Sequence, residues 1–115
     1  MPVARIATNV AKSKVTSSFL NEMTNIVAEV FQMPTAKCIV HVAAEQQMSK
    51  GGSTDPCAVA VMEKMDLAKY SAKKPEAVRK ITALVEKHLE VPPERVNIQF
   101  KNLKKENLAT AGKMM

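Results

Sequence analysis

Aromatic residues are scarce in this chain of 115 residues, which has three Phe, one Tyr and no Trp. Proteins that bind single-stranded nucleic acid by stacking interleave aromatic and basic side chains, and this chain shows no such pattern. The 17 Lys and Arg residues exceed the 11 Asp and Glu residues, but the lysines are spread along the whole sequence. We therefore expect most of the net charge of +6 to be solvated surface, and we do not expect nucleic acid to be a partner.

Cysteines and long apolar runs are also scarce. Two cysteines, Cys38 and Cys57, are too few for a disulfide framework or a metal set. No apolar run approaches the ~18 residues of a membrane helix, and the first residues lack the apolar core of a signal peptide. We expect a cytoplasmic protein without cofactor, metal or membrane segment. Export by a route that needs no signal peptide stays open.

The chain contains an internal repeat at an offset of 58 residues. The first copy contains Met23, Thr24, Ile26, Val27, Phe31, Pro34, Lys37, Val40 and Val42, which match Ile81, Thr82, Leu84, Val85, Leu89, Pro92, Arg95, Ile98 and Phe100. The two copies cover about residues 2–45 and 57–101. We expect residues 1–115 to form a single domain, since this length is typical of one.

Apolar stripes with helical spacing predict two helices, over about residues 18–31 and 75–89. A cap from Thr16, Ser17 or Ser18 is expected to begin the first helix. Each helix is preceded and followed by a predicted strand; the four strands cover about residues 3–8, 38–43, 57–63 and 96–100. The second strand is almost uniformly apolar, as expected of a strand that is covered on both faces.

The order of these elements predicts the fold class. Each β-α-β crossover should be right-handed and should pair its two strands in parallel. The expected fold is α/β (α+β): a duplicated β-α-β unit forming a four-stranded mixed sheet with two helices on one face. The other face is partly apolar, which predicts an oligomer. Residues 102–115 show no clear period, and we expect them to add a short edge strand at a subunit boundary.

Several motifs resemble one known family. They are Met1-Pro2-Val3, Thr8-Asn9-Val10, Met33-Pro34, His41-Val42, Gly51-Gly52-Ser53-Thr54-Asp55-Pro56-Cys57-Ala58 and Val91-Pro92-Pro93-Glu94-Arg95-Val96. Together they resemble the family of macrophage migration inhibitory factor and D-dopachrome tautomerase, from Met1 to about Phe100. The resemblance implies a homotrimer of β-α-β-β-α-β subunits, with a pocket between each pair of neighbouring subunits.

The resemblance also implies a catalytic role for Pro2 as general base and acid. Its substrates would be enolisable keto acids such as phenylpyruvate, or dopachrome-like compounds. An N-terminal proline is a secondary amine that its strand holds in one position. Desolvation and nearby positive charge would lower the pKa of this amine toward neutrality. Met1 must first be removed, because the Pro2 nitrogen is otherwise an amide and cannot act as a base.

Other pocket positions of the family are substituted in this chain. The substrate-binding positions fall on Met33 in place of the usual carboxylate-binding lysine, on Lys64 and Met65 in the pocket wall, and on Asn97 and Gln99 from the adjacent subunit. Either Lys64 replaces the lost lysine as the anion contact, or the pocket no longer takes the usual keto acids. A lost charged hydrogen bond costs about 1.5–3 kcal/mol, so we expect weak or altered activity.

Two functions follow from these observations. One is a tautomerase with weak activity and an additional cytokine-like signalling role. The other is a non-enzymatic, cytokine-like ligand of a cell-surface receptor, in which the tautomerase pocket has eroded. The retained Pro2 and the retained Gly51–Ala58 run favour the first, and the substituted pocket favours the second.

Overall fold

The computed structural model describes all 115 residues and contains both β-α-β units. The first unit consists of β1 (Val3–Thr8), α1 (Ser17–Val30) and β2 (Ile39–Ala43). The second consists of β3 (Ala58–Met65), α2 (Lys74–Leu89) and β4 (Val96–Leu103). Short 3-10 turns connect these elements. None of the helices combines the length and the apolar character needed to cross a bilayer.

The four strands form one mixed sheet in the order β2-β1-β3-β4. β1 is parallel to β2, β3 is parallel to β4, and β1 and β3 run antiparallel at the centre. The sheet topology and the α+β class therefore agree with the prediction. Because the first strands of the two repeats pair with each other, the second strands lie at opposite edges of the sheet.

Both helices pack on one face of the sheet. The core there is a cluster of 18 buried residues, including Ala4 and Ile6 of β1, Phe19, Met23 and Val27 of α1, Ala60 and Met62 of β3, and Ile81 and Val85 of α2. Strand alternation explains this arrangement, since every second residue of β1 and β3 faces the helices. The apolar stripes of the helices complete the core.

The helix ends follow from local chemistry. The Thr16 hydroxyl accepts a hydrogen bond from the Phe19 N–H at 3.1 Å and caps α1. Pro75 lies in the first turn of α2, where a missing N–H is harmless. Glu90 ends α2 in the left-handed conformation, with φ of 56°. Thr16 is thus the residue, among the three predicted candidates, that supplies the cap.

The sheet face away from the helices is open in the single chain. Register places Arg5 of β1 between His41 of β2 and Val61 of β3, so this face carries both polar and apolar side chains. Ile39 at the start of β2 is 47% exposed. The expectation that β2 is covered on both faces is therefore wrong for one chain, because only the helix-facing side has a covering layer.

The C-terminal segment forms a hairpin, and its expected role as an edge strand at a subunit boundary stays a prediction. Its two short strands, β5 (Ala109–Thr110) and β6 (Lys113–Met114), pair with each other in a separate two-stranded sheet. Neither joins the four-stranded sheet as an edge strand. The hairpin turns through Ala111 and Gly112, which both have positive φ angles, of 53° and 76°.

Candidate functional site

Pro2 lies immediately before β1, which runs between β2 and β3 in the sheet. Its carbonyl oxygen accepts a hydrogen bond from the Ile39 N–H at 3.0 Å. Val3 pairs with Ile39 on one side and with Glu63 on the other. Extending both registers by one residue toward the N-terminus places Pro2 between Cys38 and Lys64. Pro2 is less than 2% exposed, so the strand and its surroundings fix the position of its nitrogen.

A cavity of about 450 Å³ opens at this end of the sheet. It is lined by Met1, Met33, Ala36, Lys37, Ile39, Lys64, Met65, Thr110 and Met115. The structure therefore brings together three of the predicted site residues, Met33, Lys64 and Met65, around the residue that precedes Pro2. The lining contains no acidic and no aromatic side chain. Nowhere in the chain do three or more His, Cys, Asp or Glu side chains come together to hold a metal ion.

Lys64 is a buried cation in the wall of this cavity. It is only 6% exposed, because the alternation of β3 places it on the same side as the core residues Ala60 and Met62. Its ammonium group donates a hydrogen bond to the Met65 carbonyl at 3.4 Å and lies 5.4 Å from the centre of the Tyr70 ring. No carboxylate forms an ion pair with it. A buried charge without a counter-ion is an attractive contact for an anionic ligand.

Tyr70 is a site residue that sequence reasoning missed. Its ring packs edge-on against Phe31, with 5.2 Å between the ring centres, and so presents its face to the Lys64 ammonium. Cation–π contact of this kind partly compensates the desolvation of the lysine. Tyr70 lies in the 3-10 segment Leu67–Lys73, where no periodic pattern indicates which side chains turn inward.

The cavity lowers the basicity of an amine placed in it. The pKa of the Met1 amine is lowered from its ordinary value, first by partial burial and then by the positive charge of Lys64; Lys37 adds to this effect. The Cys38 thiol opposes this lowering, by more than Lys37 adds to it, and burial raises the pKa of that thiol. These surroundings therefore favour the uncharged form of an N-terminal amine.

Asn97 and Gln99 lie elsewhere in the single chain. Both are exposed on β4, at the far edge of the sheet from β2, and neither lines the cavity. The Asn97 side-chain oxygen accepts a hydrogen bond from the Lys50 ammonium at 2.5 Å, and Lys50 also donates to the Glu94 carbonyl at 2.8 Å. The resemblance assigned both residues to the pocket of an adjacent subunit, and that role stays a prediction.

The Gly-rich segment between the repeats, residues 50–56, is hydrogen-bonded to Arg95 immediately before β4. The Arg95 guanidinium donates hydrogen bonds to the carbonyl oxygens of Pro56 at 2.9 Å, Asp55 at 3.0 Å, Ser53 at 3.2 Å and Lys50 at 3.3 Å. Arg95, the basic residue immediately before the last strand of the second repeat, therefore has a structural role. Its hydrogen bonds fix the turn that precedes β3.

Comparison with known proteins assigns the family. The family model described as macrophage migration inhibitory factor (MIF) matches residues 1–115. The macrophage migration inhibitory factor homolog of Brugia malayi is 31% identical over 112 residues, covering 97% of this chain and 96% of that protein. The macrophage migration inhibitory factor of Xenopus laevis is 31% identical over 113 residues, with the same coverage.

The fold agrees with this assignment. The solved structure of the macrophage migration inhibitory factor from Trichinella spiralis matches this chain with a TM-score of 0.89 and 25% identity, covering 98% of this chain and 99% of that one. That from Oncomelania hupensis gives a TM-score of 0.90, covering 99% of this chain and 82% of that one. The repeat, the sheet order and the motifs around Pro2 and the Gly-rich turn are thus those of a family member, and this chain belongs to the macrophage migration inhibitory factor family.

Proposed function

We propose that this protein is a keto–enol tautomerase of the phenylpyruvate or dopachrome type, with Pro2 as its catalytic base. The observation that carries the proposal is the position of Pro2, which is buried immediately before β1 and follows Met1 in a largely apolar cavity that Lys64 also lines. Removal of Met1 would convert the Pro2 nitrogen from an amide into a free secondary amine at this point.

The cavity suits proton transfer at a carbon next to a carbonyl group. Burial and the charges of Lys64 and Lys37 already lower the pKa of the Met1 amine, and the same influences would act on the Pro2 amine. An uncharged Pro2 nitrogen accepts the proton from the carbon of the keto form. The resulting ammonium returns a proton to the carbonyl oxygen, so the enol forms with no net loss or gain of atoms or electrons.

The other predicted site residues would bind the substrate. Lys64 would contact the carboxylate of the keto acid, and Met33 and Met65 would pack against its apolar part. Asn97 and Gln99 would come from a neighbouring subunit of a homotrimer. Because Met33 replaces a charged residue of the family pocket, activity on phenylpyruvate is expected to be weak or altered.

The test compares mature wild-type protein with a Pro2→Gly variant. Mass spectrometry first establishes that Met1 has been removed. Turnover of phenylpyruvate and of dopachrome methyl ester is then followed by ultraviolet absorbance. Wild type should exceed the variant, whose terminal amine is primary and less constrained, by at least about tenfold in kcat/KM. Equal turnover of both proteins, or a retained Met1, contradicts the proposal.

One observation favours a second function. The cavity wall carries an uncharged Met33 where the family pocket has a lysine, and no acid or aromatic group lines the cavity. A pocket that lacks these groups is consistent with a non-enzymatic, cytokine-like ligand of a cell-surface receptor. That protein would be made in the cytoplasm and exported without a signal peptide. Saturable binding to receptor-bearing cells by a Pro2→Gly variant with no tautomerase activity would support this function.

A further inference from the structure

Two lysines of the cavity lie on opposite sides of the N-terminus. Lys64 is on β3, and Lys37 ends the 3-10 turn Thr35–Lys37, two residues before β2 begins. β1 runs between β2 and β3 in the sheet. The segments that carry the two lysines are therefore separated by two strand spacings, about 10 Å, with Pro2 between them.

Neither lysine has an acidic partner. Elsewhere in the molecule Lys14, Lys80 and Lys87 each form an ion pair with a glutamate, whereas Lys37 and Lys64 form none. No Asp or Glu lines the cavity. Both positive charges act on the N-terminus electrostatically, because both lower the pKa of the Met1 amine. The cavity thus carries two positive charges that no side chain of its wall neutralises, one buried at its base and one exposed at its rim.

Most of the remaining cavity wall is apolar and adaptable. Met33, Met65 and Ile39 line the cavity together with Ala36. Unbranched methionine side chains adjust to the shape of a flexible methylene chain. The cavity therefore offers two cations, carried by segments on either side of β1, and a largely apolar lining.

Resting on the proposed function, we propose that the cavity takes linear aliphatic 2-oxo dicarboxylates, with one carboxylate on Lys64 and the other on Lys37. In this arrangement Lys37 is the specificity-determining residue. It distinguishes a ligand with two carboxylates from one of equal length with a single carboxylate. The middle of the chain, with its acidic C–H bonds, then lies at the Pro2 nitrogen.

The test measures binding of two ligands that differ in one group, 2-oxohexanedioate and 2-oxohexanoate, by isothermal titration calorimetry. A charge-assisted hydrogen bond at the second carboxylate should make wild type bind the dicarboxylate at least about tenfold more tightly. Lys37→Met should abolish this preference and leave the affinity for 2-oxohexanoate unchanged. Lys37→Arg should retain the preference.

Lys12→Met is the matched control, because it removes the same charge from an exposed lysine beyond the other end of β1. It should bind both ligands as wild type does. Equal affinity of wild type for the two ligands overturns the inference, as does an equal loss of preference in Lys12→Met and Lys37→Met. Because binding is measured, the result is independent of turnover. A Pro2→Gly variant that is inactive but keeps the preference separates this inference from the catalytic proposal.

Discussion

At the scale of single residues, Lys64 occupies a position where the strand pattern of β3 otherwise places buried apolar side chains. It follows Ala58, Ala60 and Met62 on the helix-facing side and is 6% exposed. Desolvation of an unpaired ammonium opposes folding, and only the Tyr70 ring and one carbonyl group compensate it. A cation retained at such a cost in stability is best explained by ligand binding.

This interpretation predicts opposite effects of Lys64→Met on stability and on function. Methionine has a similar length and no charge, so the free energy of unfolding should rise by about 1 kcal/mol. The affinity for 2-oxo acids should fall at least about tenfold. Urea denaturation and calorimetric titration measure the two effects. Lys12→Met serves as the control that changes neither, and a destabilised Lys64→Met variant with unchanged affinity would show that the lysine is structural.

The sequence predicted part of this site. Pro2, Met33, Lys64 and Met65 were identified through motifs that the family resemblance carries, and three of them line one cavity beside the N-terminus. Lys37 and Tyr70 were missed as site residues. Both lie in or at the end of 3-10 turns, where side-chain direction depends on tertiary packing rather than on a repeating pattern.

At the scale of secondary-structure elements, the two helices are joined by a contact that the sequence pattern does not reveal. The His88 ring forms a short hydrogen bond with the Glu22 carboxylate and packs at 5.5 Å from the Phe19 ring. Helical spacing places each residue on its own helix but does not specify which residues of two helices meet. The hydrogen bond to His88, and secondly the charge of Lys87, lower the pKa of Glu22.

A dependence of stability on pH follows from this contact. Because the pKa of Glu22 is lower in the folded state, its contribution is present above the pKa of an unfolded glutamate and is lost as the pH falls through the folded-state pKa. Glu22→Gln should therefore lower the melting temperature by a few degrees at neutral pH and make little difference in strong acid. Thermal melts across this pH range measure the effect.

Glu86→Gln is the matched control for this prediction. Glu86 lies on α2, is exposed, and its side chain forms no ion pair. Its replacement removes the same charge without touching the contact between the helices. A loss of stability in Glu86→Gln equal to that in Glu22→Gln would assign the effect to net charge instead.

The elements themselves were predicted closely, because helices and long strands repeat their pattern. α1 and α2 begin within one residue of the expected positions. The pairing of β5 with β6 was not predicted, since strands of two residues are too short to show alternation. β4 extends to Leu103 rather than ending near Phe100, because pairing with β3 continues to Met65.

At the scale of the whole molecule, the open face of the sheet determines the expected assembly. Val59 and Val61 lie on this face beside Arg5, and half of the sheet surface has no covering layer within the chain. The resemblance implies a homotrimer that closes these faces around a central channel. Wild-type protein should therefore sediment with three times the 12.6 kDa mass of one chain.

A lysine at position 61 should prevent this assembly. Val61→Lys places a second cation directly beside Arg5 in the antiparallel register, on a face that the trimer would bury. The variant should sediment as a monomer and should lose any tautomerase activity, because Asn97 and Gln99 would no longer reach a neighbouring cavity. Val78→Lys is the control, since Val78 lies on α2 and is already 39% exposed.

The Val78→Lys control should remain trimeric only if the helix layer faces solvent in the assembly and the sheet face is buried. Sedimentation equilibrium of both variants therefore identifies the face used as well as the number of subunits. Dissociation by Val78→Lys but not by Val61→Lys would place the interface on the helices. A wild-type monomer would leave Asn97 and Gln99 without a pocket, and the cavity beside Pro2 would then have to bind its ligand with the residues of a single chain.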